Sequence, residues 1–316
     1  MSKLKALLLT QGMHGMVSQV EGLANALKLD YSHQTIKLKN LWNFIPPKFT
    51  PITINVLREE FNCDAKVIIS CGRKSVIPSI SLKKKFGKDV FNIHIQDPKV
   101  SINNFDCIVC PEHDGLDGEN VIHSRGAIHY LTLKEIKSNN GYLNFNKNNK
   151  KIVSLIIGGP NNYYDFNKQE IGLLFNKIKI IFSPDKYKII VIPSYRTPKN
   201  IIDMSYGVFG NDHVVVKSVD KKAYLSALGL ADFIVVTADS TSMISESAVT
   251  GKPIYIANMK AKKSSKRFNN FYTQFKKMNI IRDLEKNIEI WEYNKIDEAN
   301  RVADIVKQKM KCNGII

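Results

Sequence analysis

No apolar run in the 316-residue chain approaches the ~20 residues that a membrane-spanning helix requires. The N-terminal stretch MSKLKALLLTQGMHG contains a short greasy segment, but Gln11 and His14 end it before it reaches the length of a signal-peptide core. It reads as a first buried strand, and the expected location is the cytoplasm. Cysteine is scarce: Cys63, Cys71, Cys107, Cys110 and Cys312 form an odd, scattered set that argues against a disulfide framework. Cys107 and Cys110 have CxxC spacing, yet FDCIVCP reads as a strand, which sends side chains at i and i+3 to opposite faces. They are expected to be buried thiols, not a chelating or redox pair. There is also no G-x-G-x-x-G fingerprint, no DxD-type acidic pair and no His/Cys cluster with ligand spacing. Neither a nicotinamide cofactor nor a metal is therefore expected.

Acidic residues are in short supply, 29 against 46 Lys and Arg, which leaves a net charge of +17. Such an excess favours an anionic partner. Much of it is spread over a Lys-, Asn- and Ile-rich chain, where lysines coat solvated faces. One cluster stands out: Lys260, Lys262, Lys263, Lys266 and Arg267 in KAKKSSKRF, followed by Lys276 and Lys277. Mixed with Phe268, Phe271, Tyr272 and Phe275, it reads either as a peripheral contact with an anionic membrane surface or as a solvated loop. No nucleic-acid-binding motif is present, and none of that chemistry is expected.

Apolar residues make up 44% of the chain, enough for two cores. KALLLT, AKVIIS, FNIHIQ, DCIVCP and NVIHS read as strands in the first half; KIVSLII, YKIIVIP, HVVVK, DFIVVT and PIYIAN read as strands in the second. Amphipathic segments such as VSQVEGLANALK and DKKAYLSALGLA lie between them. That alternation predicts parallel sheets with crossover helices, buried on both faces. The fold class is α/β, two Rossmann-like domains whose sheets face one another across a cleft. The expected division is an N-terminal, acceptor-side domain over 1–137, a polar Asn/Lys-rich linker over 138–151, a nucleotide-binding domain over 152–294, and a C-terminal helix over 295–316 that packs back toward the first domain.

In such sheets ligands bind at the carboxyl ends of strands. In the first half those positions hold Gly12, His14 and Gly15, then Gly72 to Ser75, Asp97, Glu112 to Asp114, and Arg125 with Gly126. In the second half they hold Gly158, Gly159, Ser194, Arg196, the run from Asp239 to Glu246, and Asn258. FIVVTADSTSMISESAVTGKPIYI is the densest of these: strand, turn, helix, with Gly251 closing the helix. Asp239 and Ser240 suit an N-cap. Capping does not account for Glu246, which shares a helix face with Ser242. A helix N-terminus binds phosphate, and a carboxylate one turn in can accept both hydroxyls of a ribose. Together these predict a site for a nucleoside diphosphate sugar. Gly158 and Gly159 would let the backbone approach it, and Arg196, beside Ser194, would clamp the diphosphate or form a surface ion pair. His14, Asp97 and Asp114 are the candidate bases for an acceptor hydroxyl.

TQGMHGMVSQVEGLANAL, SCGRKS, IQDPK, FDCIVCPEHD, GAIHYLT, IGGPN, PSYRTP and TADSTSMISESAVTGKPIYI, in this order from about Leu7 to Ile256, resemble the family of mitochondrial fission proteins of the elongated-mitochondria type. That family is in turn similar to GT-B glycosyltransferases such as the one that builds the peptidoglycan lipid intermediate. The resemblance implies that Ser240, Ser242, Met243 and Glu246 hold the nucleotide of a nucleotide-sugar donor. It also implies that the loop from Gly12 to Gly15 faces the acceptor and diphosphate. Gln19 matches the family pattern. Related enzymes often carry a histidine directly after the second glycine, where this chain has Met16, and His14 precedes Gly15 instead. The implied activity is metal-independent glycosyl transfer to an envelope or lipid-linked acceptor. The alternatives are a nucleotide-sugar epimerase on the same fold and a non-catalytic adaptor, the role described for plant members, which recruit a dynamin-like GTPase.

Overall fold

The computed structural model describes residues 3–59, 61 and 63–316, which fall into two compact units. In chain order the first contains β1 (Lys5–Thr10), α1 (His14–Ala26), β2 (Asp30–Thr35), β3 (Val67–Cys71), α2 (Val76–Phe86), β4 (Phe91–Ile95), β5 (Cys107–Pro111) and β6 (Val121–Ser124). The short helix α3 (Leu133–Ser138) opens the second, followed by β7 (Lys151–Ile157), α4 (Lys168–Ile181), β8 (Tyr187–Pro193), α5 (Lys199–Phe209), β9 (Val214–Val215), α6 (Lys221–Leu230), β10 (Phe233–Thr237), α7 (Thr241–Ala248), β11 (Ile254–Ala257), α8 (Lys266–Lys277) and β12 (Ile281–Asp283). The last helix, α9 (Glu298–Cys312), belongs to the first unit, which comprises Met1–Tyr130 and Asp297–Ile316.

Both sheets have six strands, and every pair of neighbours is parallel. The first runs β2-β1-β3-β4-β5-β6, the flavodoxin-like order. The second runs β12-β11-β10-β7-β8-β9, which is the Rossmann order read from its far edge. Strand direction of growth reverses between β1 and β3 in one sheet and between β7 and β10 in the other. Those switch points are where crevices open at the carboxyl ends of a sheet.

Strand composition follows position. The interior strands β3, β4, β5 and β10 are buried at every residue, as parallel strands covered on both faces must be. The edge strands β2 and β12 are absent from the strands that the apolar runs predict. β2 reads DYSHQT and has no buried residue; β12 is three residues long. Cys107 points into the core layer shared by α1 and α9, and Cys110 into the opposite layer with α2. Burial pushes the Cys107 thiol up to about 12, so it is inert at neutral pH.

The polar stretch 138–151 is fastened along α6. Leu143 N–H donates to Ser226 Oγ at 3.1 Å, Tyr142 Oη donates to Asp220 at 2.7 Å, and Ser226 Oγ donates to Asn140 O at 3.2 Å. α9 fixes itself to the first unit by burying Val302, Ala303, Val306 and Met310, and Glu298 accepts the Arg125 N–H at 2.9 Å.

Candidate functional site

The switch point of the second sheet gathers three strand ends. β7 runs into Gly158 and Gly159, β8 into Ser194 to Thr197, and β10 into Ala238, Asp239 and Ser240. Asp239 is the centre. Its side chain has no exposed surface, and its Oδ2 accepts the Gly159 N–H at 3.0 Å and Arg196 Nη2 at 2.7 Å. Its Oδ1 accepts the Thr237 hydroxyl at 2.6 Å, and that hydroxyl accepts the Gly158 N–H at 2.8 Å. Arg196 Nη1 completes the ring by donating to Gly159 O at 2.6 Å. Burial pushes the Asp239 carboxyl up, while the Arg196 charge and the Thr237 and Gly159 donors pull it back.

The glycines are required by this network. A Cβ on Gly158 would lie 2.0 Å from Asp239 Oδ2, and one on Gly159 would lie 1.9 Å from Arg196 O. The Asp239 carboxylate and the Arg196 backbone therefore occupy the space that the sequence reserves for close approach. Thr197, Asn161 and Tyr272 extend the lock. Thr197 Oγ1 reaches Gly158 O at 2.6 Å, Asn161 Nδ2 donates to Asp239 O at 3.0 Å, and the Tyr272 hydroxyl of α8 donates to Ala238 O. Sequence patterning groups Tyr272 with the basic cluster and gives no sign of this contact, because the partner lies 34 residues away along the chain.

α7 starts where the lock ends. Ser240 is extended, and its Oγ accepts the Met243 N–H at 3.4 Å. The N–H groups of Thr241 and Ser242 keep no partner within the helix, as at any helix start. Ser242 and Met243 are partly exposed in this first turn. Glu246 lies one turn further, 8% exposed, and accepts the Tyr224 hydroxyl of α6 at 2.8 Å. Burial lifts its carboxyl to about 7, with the Tyr224 hydrogen bond opposing. Beyond α7, Gly251 takes φ +73° and turns the chain into β11.

The structure brings Gly158, Gly159, Ser194, Arg196, Asp239, Ser240, Ser242, Met243 and Glu246 to one edge of one sheet. Ser194 Oγ sits 3.1 Å from Thr197 Oγ1 and braces the turn. Arg196 differs from the open clamp that the sequence allows, since both terminal nitrogens are engaged inside the protein.

The remaining candidates belong to the carboxyl edge of the first sheet. Gly12 (φ +80°) follows β1, and Gly15 lies in the first turn of α1, its carbonyl accepting Gln19 Nε2 at 3.0 Å. His14 opens α1, is exposed, and has Nε2 3.4 Å from the Tyr130 hydroxyl. Asp97 is held by Lys99, whose N–H and Nζ reach its two oxygens at 2.8 and 2.5 Å. Asp114 is mostly buried beside Cys110 Sγ (3.9 Å) and His113 Nε2 (3.7 Å).

The basic cluster is partly spent. Lys262 pairs with Asp165 at 2.5 Å, and Lys263 Nζ stands 5.1 Å from the Tyr163 ring centroid. Its aromatic neighbours turn inward: Phe271 and Phe275 are fully buried, and Phe268 packs on Tyr163 and Tyr164. Among the described residues no helix is long and apolar enough to cross a membrane, and no three His, Cys, Asp or Glu side chains are grouped to hold a metal ion.

Comparison with known proteins gives the family and the fold. The model of the family described as Mitochondrial fission ELM1 matches residues 14–310, and the chain belongs to that family. It is 25% identical to the mitochondrial fission protein ELM1 of Arabidopsis thaliana, over 83% of this chain and 68% of that protein. It is 26% identical to the uncharacterized protein RP120 of Rickettsia prowazekii (strain Madrid E), over 94% of each. Among solved structures it resembles the UDP-GlcNAc 2-epimerase of Neisseria meningitidis bound to UDP-GlcNAc, with TM-score 0.54, 10% identity, and 98% and 100% of the two chains covered. It also resembles MurG of Acinetobacter baumannii, with TM-score 0.51, 8% identity, and 99% and 92% covered. At such identities the likeness is one of fold, and the fold is GT-B-like.

Proposed function

We propose that this member of the mitochondrial fission ELM1 family binds a nucleoside diphosphate sugar at the switch point of its second sheet and transfers the sugar to an envelope or lipid-linked acceptor. One observation carries the reading: a buried carboxylate, Glu246, lies one turn inside a helix that starts just past the carboxyl end of β10, at the switch point of the sheet. The N–H groups of Thr241 and Ser242 take the diphosphate, favoured by the helix dipole. Glu246 exchanges its hydrogen bond from Tyr224 for the ribose hydroxyls. Ser240 and Met243 fix the start of the helix. Gly158, Gly159, Ser194, Arg196 and Asp239 keep the crevice in shape, and Arg196 adds positive charge near the leaving group.

A helix N-terminus and an arginine can stabilise a departing diphosphate without a metal, so the reaction is proposed as metal-independent. His14 is the preferred base, since it is exposed where Asp97 is bound by Lys99 and Asp114 is mostly buried. The N–H and carboxylate pair alone would serve an epimerase equally well. An adaptor would use neither.

The test is thermal unfolding of the full chain with a panel of nucleoside diphosphates and nucleotide sugars. A ligand at ~100 times its Kd should stabilise the native state by about 2.7 kcal/mol. Stabilisation by one base, weakened in Glu246→Gln, supports the donor site. Product analysis with donor alone then separates epimerase from transferase, and no stabilisation by any ligand would favour the adaptor.

A further inference from the structure

In the first unit, the loop over residues 39–56 departs furthest from ordinary surface structure. Its ends are closed: Leu38 and Leu57 form an antiparallel bridge, the Lys39 N–H donates to Val56 O at 2.9 Å, and the Arg58 N–H donates to Lys37 O at 2.9 Å. Leu38, Val56 and Leu57 anchor it in the core. Two arginines fasten its interior. Arg58 donates from Nε to Leu38 O at 3.1 Å and from Nη2 to Asn40 Oδ1. Arg73, two residues past β3, donates to Ile45 O at 3.0 Å and to Asn43 O. Pro46, Pro47 and Pro51 stiffen the backbone further.

A loop so firmly held nevertheless turns apolar side chains to water. Phe44 is 87% exposed, Phe49 67%, Leu41 65% and Ile52 40%. One exposed apolar residue is ordinary, but four within one pinned loop mark a contact surface. Its charge has one sign. From Lys37 to Arg58 the chain carries Lys37, Lys39, Lys48 and Arg58 and no Asp or Glu. The next acid, Glu59, is already 3.9 Å from Lys37 Nζ. Lys48 Nζ stands 4.8 Å from the Phe49 ring centroid, placing a cation beside an aromatic group.

We propose that this loop docks the protein on an anionic lipid bilayer, with Phe44 and Phe49 entering the headgroup–acyl boundary and Lys39 and Lys48 resting on the headgroups. Side chains standing singly from a fixed loop suit a fluid surface that closes around each of them, and the lysines select negative lipid. The loop leaves the carboxyl edge of the first sheet, after β2, the edge that also carries Gly12 and His14. The proposal is distinct from a contact through Lys260 to Arg267, where the aromatic residues are turned inward. It stands whether or not the second unit binds a nucleotide sugar.

The test is co-sedimentation of the full chain with phosphatidylcholine vesicles, with and without phosphatidylglycerol. Binding is expected to the anionic vesicles and to fall roughly hundredfold in F44D/F49D, whose exposed positions leave the melting temperature unchanged. K48A should weaken binding about fivefold, the effect of ~1 kcal/mol per basic residue. K262A/K263A/K266A should bind like wild type. The proposal is overturned if wild type ignores anionic vesicles, if F44D/F49D binds as wild type does, or if the triple lysine variant is the one that fails. It is likewise overturned if wild type self-associates without lipid and F44D/F49D alone is monomeric, since the loop would then meet a second copy of the chain.

Discussion

Each unit has an arginine just past a strand whose guanidinium holds the carbonyls of a nearby loop. Arg196 reaches Gly159 O in the second unit, and Arg73 reaches Asn43 O and Ile45 O in the first. The two differ in what stands behind them. Arg196 is paired with the buried carboxylate of Asp239, which also organises Gly159 and Thr237. Among the described residues Arg73 has carbonyl partners alone, and the loop it holds faces water with its apolar side chains. The same device makes a closed hydrogen-bonded network when backed by a buried charge and a firm but exposed platform when not. Stability should therefore be concentrated at the second edge.

The largest expected effect breaks that difference directly. Asp239→Ala removes the acceptor of three donors and leaves the Arg196 guanidinium without its counter-charge. Breaking a buried pair costs ~3–5 kcal/mol. Arg196 keeps 37% of its side chain exposed and can rehydrate, so the loss should fall at about 3 kcal/mol or slightly more. Chemical denaturation measures it. A loss under about 1 kcal/mol would mean that the network follows the loops and does not hold them.

Interior strands were readable because burial on both faces leaves continuous apolar runs, as in FIVVT and CIVCP. β2 and β12 were not, because an edge strand needs no apolar side chains to be held by its neighbour's backbone. The local geometry of the candidate site was legible: Ser240 caps α7, and Glu246 lies one turn in. It was not legible where partners are distant. Nothing in Tyr224 or Tyr272 announces a hydrogen bond to Glu246 or to Ala238 O. The glycine pair was visible, but not that Asp239 and Arg196 fill the space beside it.

The next effect sharpens the contrast through pH. Burial raises the Glu246 carboxyl from 4.5 to about 7, so between those values the native state holds a proton that the unfolded state has released. Stability from this group is then present at low pH and lost as pH rises through about 7. The full difference corresponds to about 3 kcal/mol as an upper figure. Glu246→Gln should match wild type near pH 4 and be more stable by up to that amount near pH 8. Nucleotide binding should run the other way, improving as pH passes 7 because the ionised carboxylate accepts ribose hydroxyls more strongly. Thermal melts across pH, with and without ligand, read both trends. A flat difference between Glu246→Gln and wild type would mean that the carboxylate is solvated in the native state.

The smallest effect tests the other arginine. Arg73→Ala removes two hydrogen bonds to Asn43 O and Ile45 O, carbonyls on a loop at the surface, where water can replace the lost donors. Each such bond contributes ~0.5–1.5 kcal/mol net, and replacement by water lowers that, so the expected cost is about 1 kcal/mol. The larger change should be in order. Without its inner fastening, the loop gains conformations that must be given up on docking, so anionic vesicle binding should weaken more than global stability does. Hydrogen exchange supplies the separate reading. Amides of residues 40–52 should lose protection in Arg73→Ala, while those of β7 and β10 keep theirs. If Arg73→Ala instead lowered global stability as much as Asp239→Ala, the two arginines would be equivalent supports, and the absence of a carboxylate behind Arg73 among the described residues would carry no structural meaning.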